Sequence, residues 1–245
     1  ILCTGQNEFL EARTYGSLKT FARPLGGPVR AIRNLASYRA LDSLHQKLSG
    51  FEAAQESYKK PTLKMEVDAF LDYKRGLNAY HRDPEWRSGV ITHFEENIRR
   101  IHELSKREYV PLIVLNPPVN LKDSPPFKSE HRSDISDDQK AAFQDYLNQA
   151  QEYYQSDVAK AAELLEWAIE LDPHYAYAHY SLAHCYLAMA NIPRAEQHLI
   201  AALDEDICPL RLLPSMREFV NEYCESNNIP SLDLQALLKT YTGEP

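Results

Sequence analysis

The sequence has no run that approaches the roughly 18 consecutive apolar residues of a membrane span, so none is expected within these 245 residues. Cysteine is scarce and scattered: Cys3, Cys185, Cys208 and Cys224. No Cys-x-x-Cys or Cys/His ligand spacing occurs, which argues against zinc, and four distant thiols are not a disulfide framework. They leave the redox compartment open. Basic residues do not dominate. Lysine and arginine number 27 against 35 acidic residues, for a net charge of −8, and no concentrated basic stripe exists to follow a nucleic-acid backbone. Gly-Asp-Ser and Gly-x-Ser-x-Gly are both missing, so the chain carries no recognisable serine-nucleophile motif.

What is present is ordinary globular material, 44% hydrophobic and 25% charged, long enough for one large domain or two ordinary ones. The first nine residues, Ile1-Leu2-Cys3-Thr4-Gly5-Gln6-Asn7-Glu8-Phe9, run from apolar residues into a glycine and then polar residues. That pattern predicts a buried strand ending in a tight turn, with Asn7 and Glu8 at its C-terminal end. In open parallel α/β sheets, ligands gather at that edge. The loop Arg23–Pro28 follows, then helical spacing across Ile32–Leu48 and around Val67–Leu71. These helices would form a cap or cover one sheet face. Asp83-Pro84-Glu85 marks a helix start, with a capping carboxylate, a first-turn proline and an acid beside the positive end of the dipole. Trp86, Val90, Phe94, Ile98, Ile101 and Leu104 carry that helix to about Lys106. Val110–Leu115 is a short continuous apolar run, the pattern of a strand buried on both faces. With Ile1–Thr4 it completes a βαβ unit, and the expected fold class is therefore α/β with a parallel sheet. Asn120 and His131 lie in the loop that leaves this second strand.

Residues 137–206 have a different texture. Ala161, Leu165 and Ala168 recur as Ala195, Leu199 and Ala202, 34 positions later. This period, with small residues at fixed helix positions, is the tetratricopeptide signature. Asp172-Pro173 closes one unit, and Ala190-Asn191-Ile192-Pro193 is the turn inside the next. Trp167, Leu171 and Leu187 are expected to fill the space that the small residues leave. Two units fall short of the roughly three needed to stand alone, so they should pack on the remainder. They would offer a surface to a peptide partner, form a wall of an active site, or be an embellishment. His174, His179, His184 and His198 show no metal-ligand spacing and are expected at the surface or between helices. Beyond the repeats, Pro214 opens a helix ending near Asn227-Asn228, Ile229–Leu234 returns as a short strand, and Gln235–Leu238 begins a further helix.

Gly5-Gln6-Asn7-Glu8 resembles the Gly-x-Asn-Asp block of the SGNH (GDSL-type) esterases and acylhydrolases, with Glu8 in place of the usual Asp. The longer run Gly5–Tyr15, the stretch from Asp83 through Pro126-Phe127-Lys128-Ser129-Glu130-His131, and Cys208-Pro209-Leu210-Arg211 with Asp233 resemble the branch of that family with helical repeats inside its hydrolase domain. The resemblance implies an incomplete, flavodoxin-like parallel sheet in residues 1–136, inserted repeats in 137–206, and a truncated return to the sheet in 207–245. It implies a serine esterase acting on an acyl ester, without a cofactor. Asn7 would donate to the oxyanion, and Glu8, Asn120 and His131 would be substrate-side residues. Read from the residues alone, Asn7 could equally be a turn residue capping its own backbone. His131 does not match the family's Asp-x-x-His base. The chain begins with Ile and ends at Pro245 without an obvious final element. The nucleophile is thus expected before Ile1 and the Asp/His pair after Pro245, and residues 1–245 alone should be inactive. The competing expectation is a catalytically silent scaffold whose repeats bind a protein partner.

Overall fold

The computed structural model describes residues 1–6, 8–9 and 80–242. The chain divides into two compact units, one formed by Ile1–Glu11 with Tyr80–Pro245 and the other by Ala12–Ala79. All described residues belong to the first. The loop Arg23–Pro28 and the helices expected across Ile32–Leu48 and around Val67–Leu71 lie outside them.

In chain order the described elements are β1 (Leu2–Cys3), α1 (Pro84–Arg107), β2 (Val114–Asn116), α2 (Asp137–Tyr153), α3 (Val158–Leu171), α4 (Ala176–Ala188), α5 (Ile192–Asp204), α6 (Pro214–Ser226), β3 (Ser231–Asp233) and α7 (Leu234–Thr242). Helix holds most of these residues. This overturns the expected flavodoxin-like α/β class: the fold is a mostly helical, tetratricopeptide-like body carrying a small sheet. The three strands are parallel in the order β1-β2-β3, but each pairs over only two or three residues. The apolar run Val110–Leu115 misled because only its end joins the ladder. Pro111 has no N–H to give, and Val110 and Ile113 face solvent. Leu232 and Cys3 are exposed as well, so among the described residues the sheet is not sandwiched between two helical layers.

Local signals decide α1. The Asp83 side chain accepts the Trp86 N–H at 2.8 Å, Pro84 occupies the first turn, and Lys106 and Arg107 lie at the negative end of the dipole. Its buried face is Val90, Phe94 and Ile98. His102 continues this face, its Nδ1 3.0 Å from the Tyr223 hydroxyl of α6.

Helices α2 to α5 form two consecutive helical hairpins, each helix packed on the next. Ala161, Ala168 and Ala195 have no exposed surface, which lets neighbouring helices approach closely. Leu164, Leu165, Leu182 and Leu199 fill the spaces between them, each stabilising the fold by about 1.5–3 kcal/mol. Trp167 does not take the filling role expected of it. It lies at the surface with the Lys160 ammonium 4.7 Å above its ring. The second helices of the two units repeat every 34 residues, but the first helices do not. Leu147, Ala150 and Phe143 of α2 occupy the places of Leu182, Cys185 and Ala178 of α4, 35 positions on. The turn 154–157 between α2 and α3 is one residue longer than the turn 189–191 between α4 and α5, and it shifts the register.

Inside the second unit, His179 on α4 and His198 on α5 stack with their Nδ1 atoms 3.0 Å apart. His179 Nε2 donates to the Pro173 carbonyl at 2.9 Å, so its Nδ1 accepts and His198 Nδ1 donates. Burial, reinforced by His179 and Arg194 and opposed by Glu166, lowers the His198 pKa from 6.5 to about 4. The unfolded chain takes up a proton below 6.5, whereas the folded chain holds out to about 4. The stabilisation is therefore whole above pH 6.5 and lost as pH falls toward 4. The loss should be on the order of 2 kcal/mol, allowing for partial exposure. Asn at position 198 can place an amide N–H near Nδ1 without titrating. His198→Asn is expected to flatten the fall in urea midpoint between pH 7 and pH 4.5. An unchanged slope would remove His198 from the acid response.

Candidate functional site

Two features meet on the first helices of the repeats. One is the irregular strap 117–135 that joins β2 to α2. The other is an open groove beside it.

The strap is ordered because side chains satisfy its backbone, as a segment without helix or sheet pairing requires. Asp206 Oδ2 accepts the Phe127 N–H at 2.7 Å, and its Oδ1 accepts those of Lys128 and Cys208 at 3.0 and 3.1 Å. Asp172 does the same one repeat earlier. Its Oδ2 accepts the Arg132 N–H at 3.2 Å and its Oδ1 that of His174 at 3.1 Å. The two aspartates are 34 positions apart, both buried, and each also binds the N–H two residues on. The repeat thus supplies one strap-binding carboxylate per unit. Burial pushes the Asp206 carboxyl above the usual carboxylate range, only partly offset by those N–H bonds.

Strap carbonyls find donors on the same side. Arg211 donates to Asn120 O, Ser124 O and Pro125 O. The Tyr180 hydroxyl and His184 Nε2 of α4 both donate to Lys122 O, at 2.8 and 3.0 Å. Helix α4 lacks a capping side chain of its own, and Ser129 Oγ of the strap accepts its Tyr177 N–H at 2.9 Å.

The groove has a volume of about 710 Å³ and lies between α2 and α4, floored by Ala150 and Leu165. Gln144, Asn148 and Gln151 line the α2 side, at spacings that keep one helix face, and Gln155 follows in the turn after it. Tyr177, Tyr180 and His184 line the α4 side. Their rings follow one another with centroids 6.1 and 4.5 Å apart. No Lys, Arg, Asp or Glu is among the described lining residues. Gln144 Nε2 donates to Asn148 Oδ1 at 2.9 Å, while the Gln151 and Gln155 amides have no partner among the described residues.

A second pocket, of about 460 Å³, lies near the end of β1, bordered by Phe9, Arg82, Arg87 and His174. Its charges are matched internally. Arg82 pairs with Glu205 at 2.7 Å, Arg87 with Asp204 at 3.1 Å, and His174 Nδ1 with Glu205 at 3.0 Å. A third, of about 390 Å³, lies beside Leu212, Arg217 and Gln235. There Arg217 and Asn221 both engage Asp233, at 2.6 and 3.1 Å, and Asn221 accepts from Asn116 at 2.6 Å. Burial pushes the Asp233 carboxyl up, but the Asn221 bond, the Ala236 and Gln235 N–H groups and Arg217 together hold it below its ordinary range.

The residues expected at a site stand apart. Asn7 lies outside the described residues. Glu8 accepts from Thr4 Oγ1 at 3.1 Å, one turn away. Asn120 closes a strap turn, with its Oδ1 accepting the Asp123 N–H at 2.9 Å. His131 Nδ1 donates to Asp172 Oδ2 at 2.8 Å, and its ring packs on Phe143 and Tyr175. It fastens the strap to the repeats. Cys185 is no nucleophile, since burial pushes its thiol up to about 11. The groove residues escaped sequence reading, although the spacing of Gln144, Asn148 and Gln151 on an amphipathic helix was available as a signal.

Residues 152–206 match the tetratricopeptide repeat family. The repeat segment is tetratricopeptide-like. The match spans α3, α4 and α5, and the geometry adds α2 as the first helix of the earlier unit. No curated protein and no solved structure matches the chain. The resemblance to SGNH hydrolases finds no support in these comparisons. Among the described residues no helix is long and apolar enough to cross a membrane, and no cluster of three or more His, Cys, Asp or Glu could hold a metal ion.

Proposed function

We propose that this protein is a peptide-binding scaffold whose tetratricopeptide-like units take a segment of a protein partner in the groove between α2 and α4. The observation that carries this is the lining: side-chain amides on one wall, aromatic rings on the other, and no ionic side chain among the described lining residues. Side-chain amides match the donor and acceptor pair of a peptide unit, and Tyr gives broad contact at low entropic cost. Such a groove suits an uncharged extended segment.

The test is peptide selection from a random displayed library on the whole chain, then calorimetry of an enriched peptide against wild type and the Gln151→Glu/Tyr177→Ala double variant. Affinity should fall at least tenfold in the variant. Undiminished affinity, or a library that enriches nothing, would sink the proposal.

A second reading keeps one observation. The chain turns sharply at Gly5, at the C-terminal end of β1, and Phe9 borders the pocket with Arg82 and Arg87. An ester hydrolase using Asn7 as oxyanion donor would work from this turn, with its nucleophilic serine outside residues 1–245. Fluorophosphonate labelling of the protein with its flanking sequence would support it by marking such a serine. A folded protein that takes no label would leave the scaffold reading alone.

A further inference from the structure

We infer that the segment taken by the α2–α4 groove is proline-rich and binds as a polyproline II helix, through its carbonyls and ring faces. This rests on the peptide-binding reading and narrows it to one chemistry.

The donor balance comes first. A proline-rich segment presents carbonyls and almost no N–H groups, so a surface that binds it must donate. The groove is rich in donors: the NH₂ groups of Asn148, Gln151 and Gln155, and the hydroxyl of Tyr177. An acidic peptide would call for lysine or arginine, and the described lining residues include neither. A β-strand would need an open strand edge, and the walls are helices whose backbone groups are already paired.

The second support is the aromatic row. Tyr177 is half exposed, and Tyr177, Tyr180 and His184 follow one another along one face of α4. Aromatic-lined grooves accept prolyl rings, and polyproline II loses little entropy on docking because it is already extended.

The chain itself supplies the third. The strap carries two proline pairs, Pro117-Pro118 and Pro125-Pro126. Between them Lys122 O accepts from both Tyr180 and His184, and Arg211 binds Asn120 O, Ser124 O and Pro125 O. Helix α4 thus already holds one carbonyl of a proline-flanked segment of its own chain, and Arg211 holds three more. The free groove continues along that face toward Tyr177 and Gln151.

The experiment is calorimetric titration of the whole chain with acetyl-decaproline amide, carried to millimolar concentration, against acetyl-(Ala-Gln)5 amide as control. Decaproline should bind at least tenfold tighter than the control. Tyr177→Ala should weaken it at least tenfold, with circular dichroism and the thermal midpoint nearly unchanged, because the half-exposed Tyr177 side chain makes no hydrogen bond among the described residues. Gln151→Glu should also weaken it, by setting a carboxylate against ligand carbonyls. Equal binding of both peptides, or decaproline binding indifferent to Tyr177→Ala, overturns the inference. Control binding without decaproline binding overturns it too, yet leaves a peptide groove standing. If neither peptide binds and library selection also enriches nothing, the scaffold reading falls with it.

Discussion

Asp206→Ala is expected to lower the unfolding free energy by about 3–5 kcal/mol and to release the strap. The carboxylate is 2% exposed and accepts the N–H groups of Phe127, Lys128 and Cys208. Hydrogen bonds to a charged group contribute about 1.5–3 kcal/mol each, and an unsatisfied buried donor costs about 1–3 kcal/mol. The three do not add fully, because a freed strap can turn its N–H groups to water. Asn offers one acceptor oxygen, enough for the bonds made by Oδ1, but its NH₂ would confront the Phe127 N–H. Asp206→Asn should therefore fall between wild type and Ala. Urea unfolding gives the order, and limited trypsin digestion gives the cause, because Lys122 and Lys128 lie in the strap. Cleavage there should quicken in Asp206→Ala before the repeats are cut. A loss below about 1 kcal/mol would falsify the view that this carboxylate organises the strap.

Asp172 stands 34 positions earlier with the same two-residue N–H bond and its own strap contact. The two carboxylates belong to the repeat pattern as firmly as the alanines do. That relation was visible in the sequence, but nothing in it marked an aspartate at the end of a helix as a partner for a segment some 40 or 80 residues away. Periodicity reports which face of a helix is buried. It carries no information about which irregular backbone a side chain will satisfy.

The same distinction explains what else was legible. Asp83-Pro84-Glu85 fixed the start of α1 correctly, because capping is settled within four residues. Ala161, Leu165 and Ala168 exposed the repeat, because the second helix of each unit keeps its register. The first helix of the earlier unit fell inside the expected repeat segment 137–206, with a capping box from Ser136 and Gln139 at its start, but the extra residue in the turn 154–157 takes it out of the 34-residue register. The strands were overread. An apolar run such as Val110–Leu115 shows that apolar residues are together, and the ladder forms only where a neighbouring strand meets them, here from Val114. From this overreading came an α/β expectation, and the four-residue resemblance at Gly5–Glu8 lent it weight. The groove was out of reach for a different reason: α2 and α4 are separate in sequence, and their polar faces become one surface only when α3 sets them side by side.

Gly5→Ala is expected to cost about 3–5 kcal/mol, comparable to the loss of Asp206 but by an unrelated route. Gly5 has φ of +106°, a conformation that L side chains rarely adopt. Holding alanine there costs about 1–3 kcal/mol. A Cβ would also stand 2.2 Å from Leu212 Cδ1, and Leu212 is 1% exposed, so it has little room to move. Overpacking a core site of this kind costs about 1–3 kcal/mol more. The two contributions can be separated. Leu212→Ala opens space for the new methyl but leaves the backbone conformation as it was. In the double variant the steric part of the Gly5→Ala loss should vanish, leaving about 1–3 kcal/mol on top of the cavity cost of Leu212→Ala alone. Full additivity in urea unfolding would mean that the backbone angle carries the whole effect. A neutral Gly5→Ala would mean that the turn after β1 is not held against Leu212 at all, and the second reading, which depends on that turn, would lose its geometry.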